Sequence, residues 1–149
     1  MEGYLSYDWP VEGILTAGQP LTSRLAASVG KVCKYLLCNY IATESFYVPE
    51  SKITSPDDFV GFGCGKPVSY SGLEVKIVDE NSEIVPVNHR GEIYVRSEIM
   101  FKEYFTDFEE KAVKTLDGWY KTDDIGQTAE HGPILYRGSE IKHDYIRWI

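Results

Sequence analysis

An acid at the end of an aromatic run is the strongest candidate for chemistry in this sequence. Residues 117–126 read Asp-Gly-Trp-Tyr-Lys-Thr-Asp-Asp-Ile-Gly, so a turn dipeptide leads into aromatic residues and then into two carboxylates. This order is typical of a short strand that delivers an acid to the rim of a pocket, and it points to Asp124. Its carboxylate can accept hydrogen bonds from both hydroxyls of a ribose. The alternative is a solvent-exposed acidic turn, because most Asp side chains are exposed.

Residues 39–44 hold a second group of candidates. Tyr40 offers an aromatic face next to the amide of Asn39, and together they could stack on a purine and hydrogen-bond to its edge. Thr43 and Glu44 bring a hydroxyl and a hard carboxylate side by side, which suits a phosphate and a magnesium ion. The alternatives are a core position for Tyr40, and a helix cap and a solvated acid for the other two. The wall opposite Tyr40 would be the backbone of four residues, Ala17, Gly18, Gln19 and Pro20.

Arg137 is the cation that the predicted topology returns to the same rim. A turn at residues 130–133, Glu-His-Gly-Pro, separates strand-like residues 125–128 from residues 134–137, which predicts a hairpin. The guanidinium of Arg137 could donate to ribose or phosphate oxygens, or it could pair only with Asp124. The histidines are expected at the surface, since no nucleophile or acid is arranged around them: His89, His131 and His143.

A strand, a loop and a helix must position the first wall of this site. Residues 13–16 are a short apolar run that stops at residues 17–20, and apolar residues then recur at helical spacing. Pro20 suits the first helical position, and residues 34–38 are apolar and short enough for a second buried strand. Strand, helix and strand imply a right-handed parallel crossover. Because ligands bind at the carboxyl ends of parallel strands, we expect the loops at residues 17–20 and 39–44 to be neighbours.

From residue 61 onward the apolar residues alternate with a period of two, which predicts a β-rich, barrel-like unit. Turns are predicted at residues 79–82 and 88–91, and one helix at residues 110–113 behind a capping pattern that begins at Thr106. The predicted fold class is α/β, with a parallel βαβ portion followed by the barrel-like subdomain. Three parts are expected: an αβ part at residues 1–60, the β-rich part at 61–137, and a hinge at 138–149.

Composition limits the partners that this chain can have. With 149 residues, 43% of them hydrophobic, the chain suits one domain with a sizeable core. A formal net charge of -8 argues against nucleic acid or an anionic membrane surface as a partner, since both would be repelled. The three cysteines lack the spacing of a zinc site, which favours reduced thiols. Without a transmembrane run or a signal peptide, the chain is expected to be intracellular, either cytoplasmic or organellar.

Taken in order, these stretches resemble the AMP-forming adenylating enzymes, which include acyl-CoA synthetases, firefly luciferase and nonribosomal adenylation domains. No single motif is decisive, but several in register are specific. The strand at residues 119–121 looks most like acyl-CoA synthetases, with the medium-chain type as one candidate. The matching stretches cover nearly the whole chain and include Thr16-Ala17-Gly18-Gln19-Pro20-Leu21, Asn39-Tyr40-Ile41-Ala42-Thr43-Glu44, Gly63-Cys64-Gly65-Lys66-Pro67, Arg90-Gly91-Glu92-Ile93-Tyr94-Val95-Arg96 and Gly118-Trp119-Tyr120-Lys121-Thr122-Asp123-Asp124.

The resemblance implies a fold, a reaction and a role for each candidate. The fold would be a fragment of the large domain of an adenylate-forming enzyme. The substrates would be ATP, a small-molecule carboxylic acid such as a fatty acid, and coenzyme A, and the products acyl-AMP and then acyl-CoA. The implied assignments are Ala17, Gly18, Gln19, Pro20 and Tyr40 for adenine, Asn39 for its edge, Thr43 for the phosphate, Glu44 for Mg²⁺, and Asp124 and Arg137 for the ribose.

The chain also departs from the family pattern. Glycine is usual in the family at five positions that carry a side chain here: Ile41, Ser97, Glu103, Asp123 and Tyr136. A positive φ at position 41 or 123 would make a side chain there cost about 1–2 kcal/mol. The chain has no phosphate-binding loop rich in Ser, Thr and Gly, and the family's C-terminal domain would begin where this chain ends.

These departures predict that the chain is about the last third of the large domain, from a truncated product or an incomplete gene model. A fragment of this kind is expected to be inactive alone. The alternative function is a non-catalytic remnant or interaction domain with weak or no nucleotide binding.

Overall fold

One sheet of nine strands and one helix organise the part of the chain that the structure describes. This computed structural model describes residues 11–18, 21–55, 58–59, 63–67, 72–100, 103–104, 111–112, 115–130 and 132–139. The sheet runs in the order β1-β2-β3-β4-β11-β10-β6-β5, β9 pairs with β10, and β7 and β8 pair separately. The elements are β1 (Gly13–Ala17), α1 (Ser23–Val29), β2 (Tyr35–Ala42), β3 (Phe46–Ile53), β4 (Gly63–Pro67), β5 (Glu74–Val78), β6 (Gly91–Arg96), β7 (Glu103–Tyr104), β8 (Lys111–Ala112), β9 (Thr115–Leu116), β10 (Trp119–Thr128) and β11 (Ile134–Ser139).

The first part of the sheet is the predicted parallel crossover. β1 and β2 pair in parallel, from Gly13 opposite Tyr35 to Ala17 opposite Asn39, and α1 connects them. The strand–helix–strand prediction is therefore confirmed. The helix packs on one face of these strands because apolar residues of both form one buried cluster: Leu21, Ala26, Leu36 and Cys38, with Ile14, Val29, Ile53 and Phe59 around it.

The start of α1 differs from the prediction. The helix begins at Ser23, so Pro20 does not occupy its first position. The physical reason is the hydroxyl of Thr22, which accepts a hydrogen bond from the backbone N–H of Leu25 at 3.2 Å and so caps the helix.

The second strand is longer than predicted. β2 continues to Ala42 instead of ending at residue 38, because β3 pairs with it antiparallel as far as Ala42. Asn39 and Tyr40 therefore lie in a strand and not in a loop. They still lie at its carboxyl end, next to the end of β1, so the predicted neighbourhood of the two segments is confirmed.

The later strands pair antiparallel and form the predicted β-rich unit. β10 is central here, because it pairs with β11, with β6 and with β9. The period of two is confirmed on β5, where Val75 and Ile77 both face the core of this unit. That core is a buried cluster of Ile77, Ile93, Val95 and Ile134.

The sheet curls enough for distant strands to touch. β2 and β10 are separated in the sheet order by β3, β4 and β11, which in a flat sheet would put them roughly 19 Å apart. The hydroxyl of Tyr40 on β2 nevertheless donates a hydrogen bond to Asp124 on β10, and the ring of Tyr40 packs against the core of the β-rich unit. The fold-class prediction, a parallel βαβ portion followed by a barrel-like part, is confirmed.

The predicted turns of this unit are present. Ser82 and Asn88 both adopt a positive φ of 66°, within the predicted turns at residues 79–82 and 88–91. The carboxylate of Asp79 accepts from the backbone N–H groups of Asn81 and Glu83 at 2.9 and 3.0 Å, which is why an Asp starts the first turn.

The predicted helix at residues 110–113 is wrong where the structure describes it. Lys111–Ala112 form β8 and pair antiparallel with Glu103–Tyr104. The capping pattern from Thr106 specifies only how a helix could begin, and strand pairing with β7 decides the conformation of residues 111–112. Residues 105–110 and 113–114 lie outside the described part.

The first two residues of the predicted hinge at 138–149 lie in a strand, and the hinge itself stays a prediction. Gly138 and Ser139 are the last residues of β11, where they pair with Ile125 and Asp124 of β10. Residues 140–149 lie outside the described part, and the division at residues 60 and 61 stays a prediction. In the described ranges no helix has both the length and the apolar character needed to cross a bilayer.

Candidate functional site

The structure brings together Tyr40, predicted to contact the adenine ring, and Asp124, predicted to contact the ribose. The hydroxyl of Tyr40 donates a hydrogen bond to Oδ2 of Asp124, although 84 positions separate them in the chain. Both side chains are partly buried, and the ring of Tyr40 packs on the β-rich core. Of the two alternatives drawn from the sequence, core packing applies in part to Tyr40, whereas the exposed acidic turn does not apply to Asp124, which lies in β10.

A bulge in β10 sets the direction of Asp124. The register of β10 against β6 shifts between Lys121 and Ile125, and within this interval Asp123 has a left-handed φ of 58°. The positive φ considered for position 123 is therefore present, and it explains why glycine suits this position. The bulge lets Asp124 point toward β2 while its backbone remains in the sheet.

Thr122 fixes this bulge, and it was not among the predicted site residues. Its hydroxyl donates to the carbonyl of Ile93 at 2.8 Å and accepts from the backbone N–H of Asp124 at 3.1 Å. The signal in the sequence is a Thr two residues before an acid, a spacing at which a hydroxyl can bond to the nearby backbone. Thr122 thus holds the main chain of Asp124, and Tyr40 holds its side chain.

Asn39 is buried with its amide unsatisfied. The residue is only 5% exposed, and neither Oδ1 nor Nδ2 has a hydrogen-bond partner among the described residues. Buried polar atoms are nearly always paired, so an exception calls for an explanation such as a ligand. Ala17 lies opposite Asn39 in the β1–β2 register, and Gly18 directly follows the end of β1.

Gly18 borders open space at the same edge of the sheet. Its φ is 82°, and a Cβ built on it would meet no described atom within 4 Å. A flat ring would therefore have room to approach the backbone of Gly18, and the adenine-binding role of Ala17 and Gly18 stays a prediction. Gln19 and Pro20, the other two residues predicted for this wall, lie outside the described part.

Thr43 and Glu44 follow the carboxyl end of β2 in the turn to β3. Thr43 is exposed and Glu44 is half-buried, whereas the next residue, Ser45, is fully buried with its hydroxyl unpaired among the described residues. The described residues contain no group of three or more His, Cys, Asp or Glu placed to hold a metal ion. The assignments of Thr43 to a phosphate and Glu44 to magnesium stay predictions.

Ile41 does not strain the backbone. The described non-glycine residues with a positive φ are Ser82, Asn88, Asp117 and Asp123, so the strain considered for position 41 does not arise. The side chain of Ile41 is 39% exposed beside Tyr40.

Arg137 lies on β11 with its side chain directed along the strand pair. The predicted hairpin is confirmed, with Ala129 N–H donating to the carbonyl of Pro133 at 2.8 Å. The Nε of Arg137 donates to Oε1 of Gln127 at 3.1 Å, and the side chain is exposed. The alternative in which Arg137 and Asp124 pair only with each other is wrong, because each has another partner.

Comparison with known proteins decides the family. The sequence profile described as "AMP-binding enzyme" matches residues 6–105, which is about two thirds of the chain. The chain belongs to the AMP-binding enzyme family. It is 34% identical over 128 residues to the 4-coumarate--CoA ligase-like 4 of Oryza sativa subsp. japonica, covering 82% of this chain and 22% of that protein. It is 33% identical over 154 residues to the medium-chain acyl-CoA ligase ACSF2 of Danio rerio, covering 92% of this chain and 23% of that protein.

The solved structures agree with this assignment. The crystal structure of the anthranilate CoA ligase AuaEII in complex with anthranoyl-AMP matches with a TM-score of 0.70 and 25% identity, over 86% of this chain and 24% of that one. The chain thus spans about a quarter of the length of each of these three proteins, and its fold corresponds to part of the large domain of an adenylate-forming enzyme. These proteins are named for different acids, so the comparisons leave the acid open.

Proposed function

We propose that this chain binds the adenosine part of AMP or ATP at the edge formed by the ends of β1 and β2 and the bulge of β10. The observation that carries the proposal is the hydrogen bond from Tyr40 to Asp124, with the buried amide of Asn39, unpaired among the described residues, on the residue before Tyr40. The three groups are chemically complementary to the base edge, the base face and the ribose of adenosine.

The amide of Asn39 suits adenine in particular. An Asn side chain can donate to one ring nitrogen of adenine and accept from its amino group in a bidentate pair. Both of its polar atoms are buried and unpaired within the described ranges, so a ligand that satisfies them would recover a cost of about 1–3 kcal/mol. Gly18 leaves the space in which the base would lie, and the ring of Tyr40 would form its other wall.

The remaining candidates suit the phosphate end. Thr43 would donate its hydroxyl to a phosphate oxygen, and Glu44 would hold Mg²⁺ that also contacts the phosphates. Arg137 is exposed, so exchanging Gln127 for a ribose or phosphate oxygen would cost little. In a longer protein this site would serve the family reaction, in which ATP converts a carboxylic acid to acyl-AMP and the acyl group is then transferred to coenzyme A. We propose that the acid is a fatty acid.

Titration of the chain with AMP tests the binding proposal. We expect a dissociation constant on the order of millimolar, about -4 kcal/mol, because the proposed site offers base and ribose contacts while the chain contains no glycine-rich phosphate loop. Asp124→Ala should abolish the ribose contribution, and Glu80→Ala in an exposed turn is a matched control that should not change affinity. No binding of AMP by the folded wild-type chain would favour the non-catalytic remnant instead.

ATP–pyrophosphate exchange with a panel of fatty acids tests activity. We expect no exchange from residues 1–149 alone, because loss of even one preorganised charge-stabilising group typically costs about 10²- to 10³-fold. Clear exchange that Glu44→Ala abolishes would contradict this expectation and identify the chain as a working enzyme.

A further inference from the structure

The hydroxyl of Tyr40 does more than stacking requires. An aromatic wall for adenine needs only the face of a ring, which a phenylalanine would supply equally well. In this chain the ring is fixed against the β-rich core, and its hydroxyl donates to Oδ2 of Asp124. The residue proposed for the base therefore holds the residue proposed for the ribose.

We propose that Tyr40 is a positioning residue for Asp124. The backbone of Asp124 is fixed by the hydroxyl of Thr122, and the remaining freedom of the side chain lies in its rotation about Cα–Cβ and Cβ–Cγ. The bond from Tyr40 restricts that rotation and fixes the carboxylate at the edge where the ribose hydroxyls would arrive. The cost of ordering the carboxylate is thus met before a ligand binds.

This inference rests on the proposed binding of adenosine and predicts how the ribose is recognised. Without the hydroxyl, the carboxylate loses this restraint, which should weaken ribose recognition on the order of 3- to 10-fold. Binding of the base should be unchanged, because the ring of residue 40 is retained. Tyr40 thus acts on the ribose through Asp124 rather than by touching it.

The experiment compares adenosine with 2′,3′-dideoxyadenosine, which lacks both ribose hydroxyls, by NMR titration of the folded chain. We expect the wild type to prefer adenosine and Asp124→Ala to lose the preference. Tyr40→Phe should reduce affinity for adenosine by about 3- to 10-fold and leave affinity for the dideoxy compound unchanged. Combined with Asp124→Ala, Tyr40→Phe should have no further effect on the ratio. Tyr120→Phe, a tyrosine packed against the same core, is the matched control and should leave both affinities unchanged.

The outcomes separate the two proposals. A wild-type chain that binds neither nucleoside overturns the proposed function and this inference with it. If Asp124→Ala removes the preference for adenosine and Tyr40→Phe preserves it, only the positioning role is overturned. The positioning role is also overturned if Tyr40→Phe weakens binding of both nucleosides equally, because such a loss would indicate a packing defect. Should Tyr40→Phe be too unstable to study, the same comparison is made on Ser82→Gly, a background that relaxes the left-handed backbone in the exposed turn at residues 79–82.

Discussion

Replacing Asn39 with leucine should stabilise the ligand-free chain and remove its response to AMP. Leucine keeps the number and branching of the side-chain heavy atoms of asparagine, so the change removes two buried polar atoms without opening a cavity. Asn39 is 5% exposed with both atoms unpaired in the described ranges, and leaving a buried polar group unsatisfied costs about 1–3 kcal/mol. We therefore expect Asn39→Leu to raise the free energy of unfolding by about 1–3 kcal/mol.

Urea denaturation with and without AMP measures both effects. With a slope of about 2 kcal/mol/M, a gain of about 2 kcal/mol moves the midpoint up by about 1 M urea. If the wild type binds AMP with a dissociation constant of about 1 mM, then about 10 mM AMP should stabilise it by roughly 1.4 kcal/mol. Asn39→Leu should raise the urea midpoint without ligand. It should lose the further stabilisation by AMP, because leucine cannot hydrogen-bond to the adenine edge.

Ser45 provides the matched control. Its hydroxyl is also buried and unpaired among the described residues, but it has no proposed contact with the ligand. Ser45→Ala should leave the chain as stable as before or more stable, and it should keep the full response to AMP. A lower midpoint for Asn39→Leu without ligand would refute the reasoning, since it would mean that the amide is satisfied in the folded chain.

The remaining predictions concern the backbone and one ion pair. Asp123→Gly should raise the free energy of unfolding by about 1 kcal/mol in the same urea assay, because a left-handed φ of 58° suits glycine; a lower midpoint would contradict this. Gly65→Ala should abolish the fold as seen by circular dichroism, since its Cβ would clash with the backbone carbonyl oxygen of Glu50 on β3 at a φ of 85°. Gly72→Ala, at a φ of 61° with open space around it, is the control and should remain folded. The hydrogen bond from Arg96 lowers the pKa of Glu74 in the folded chain. The pair therefore stabilises the fold fully above the pKa of Glu in the unfolded chain, about 4.3. This stabilisation is lost as the pH falls through the lower pKa of the folded chain. Glu74→Gln should remove that part of the fall in melting temperature below about pH 4.3, and an unchanged profile would show that the exposed pair contributes nothing measurable.

Local sequence patterns predicted the structural elements that depend mainly on residues close together in the chain. The parallel crossover follows from apolar runs and helical spacing, and the turn at Asp79 follows from an Asp that bonds to the following backbone. The motif at residues 117–126 located Asp124, because its spacing is carried by one continuous strand. Such features need no knowledge of distant partners.

Features that depend on distant partners were missed or misplaced. β2 is longer than its apolar run because β3 pairs with it, and residues 111–112 form a strand because β7 lies beside them. The hydrogen bond between Tyr40 and Asp124 depends on the curl of the whole sheet, which no local pattern specifies. The role of Thr122 could have been suspected from its spacing to Asp124, but its second partner, the carbonyl of Ile93, comes from another strand.

Because the sheet curls, the affinity of the proposed site for a nucleotide also depends on how completely the chain is folded. Asn39 and Tyr40 lie on the parallel portion and Asp124 on the antiparallel one, so the proposed site exists only in molecules in which β2 and β10 have closed on each other. A ligand that contacts both portions binds with an affinity reduced by the fraction of molecules that are closed. Segments of a longer relative that pack on both portions would raise that fraction without touching the nucleotide. Weak binding by this chain would then reflect incomplete closure as well as missing phosphate contacts, and the two can be separated because only the phosphate contacts distinguish AMP from adenosine.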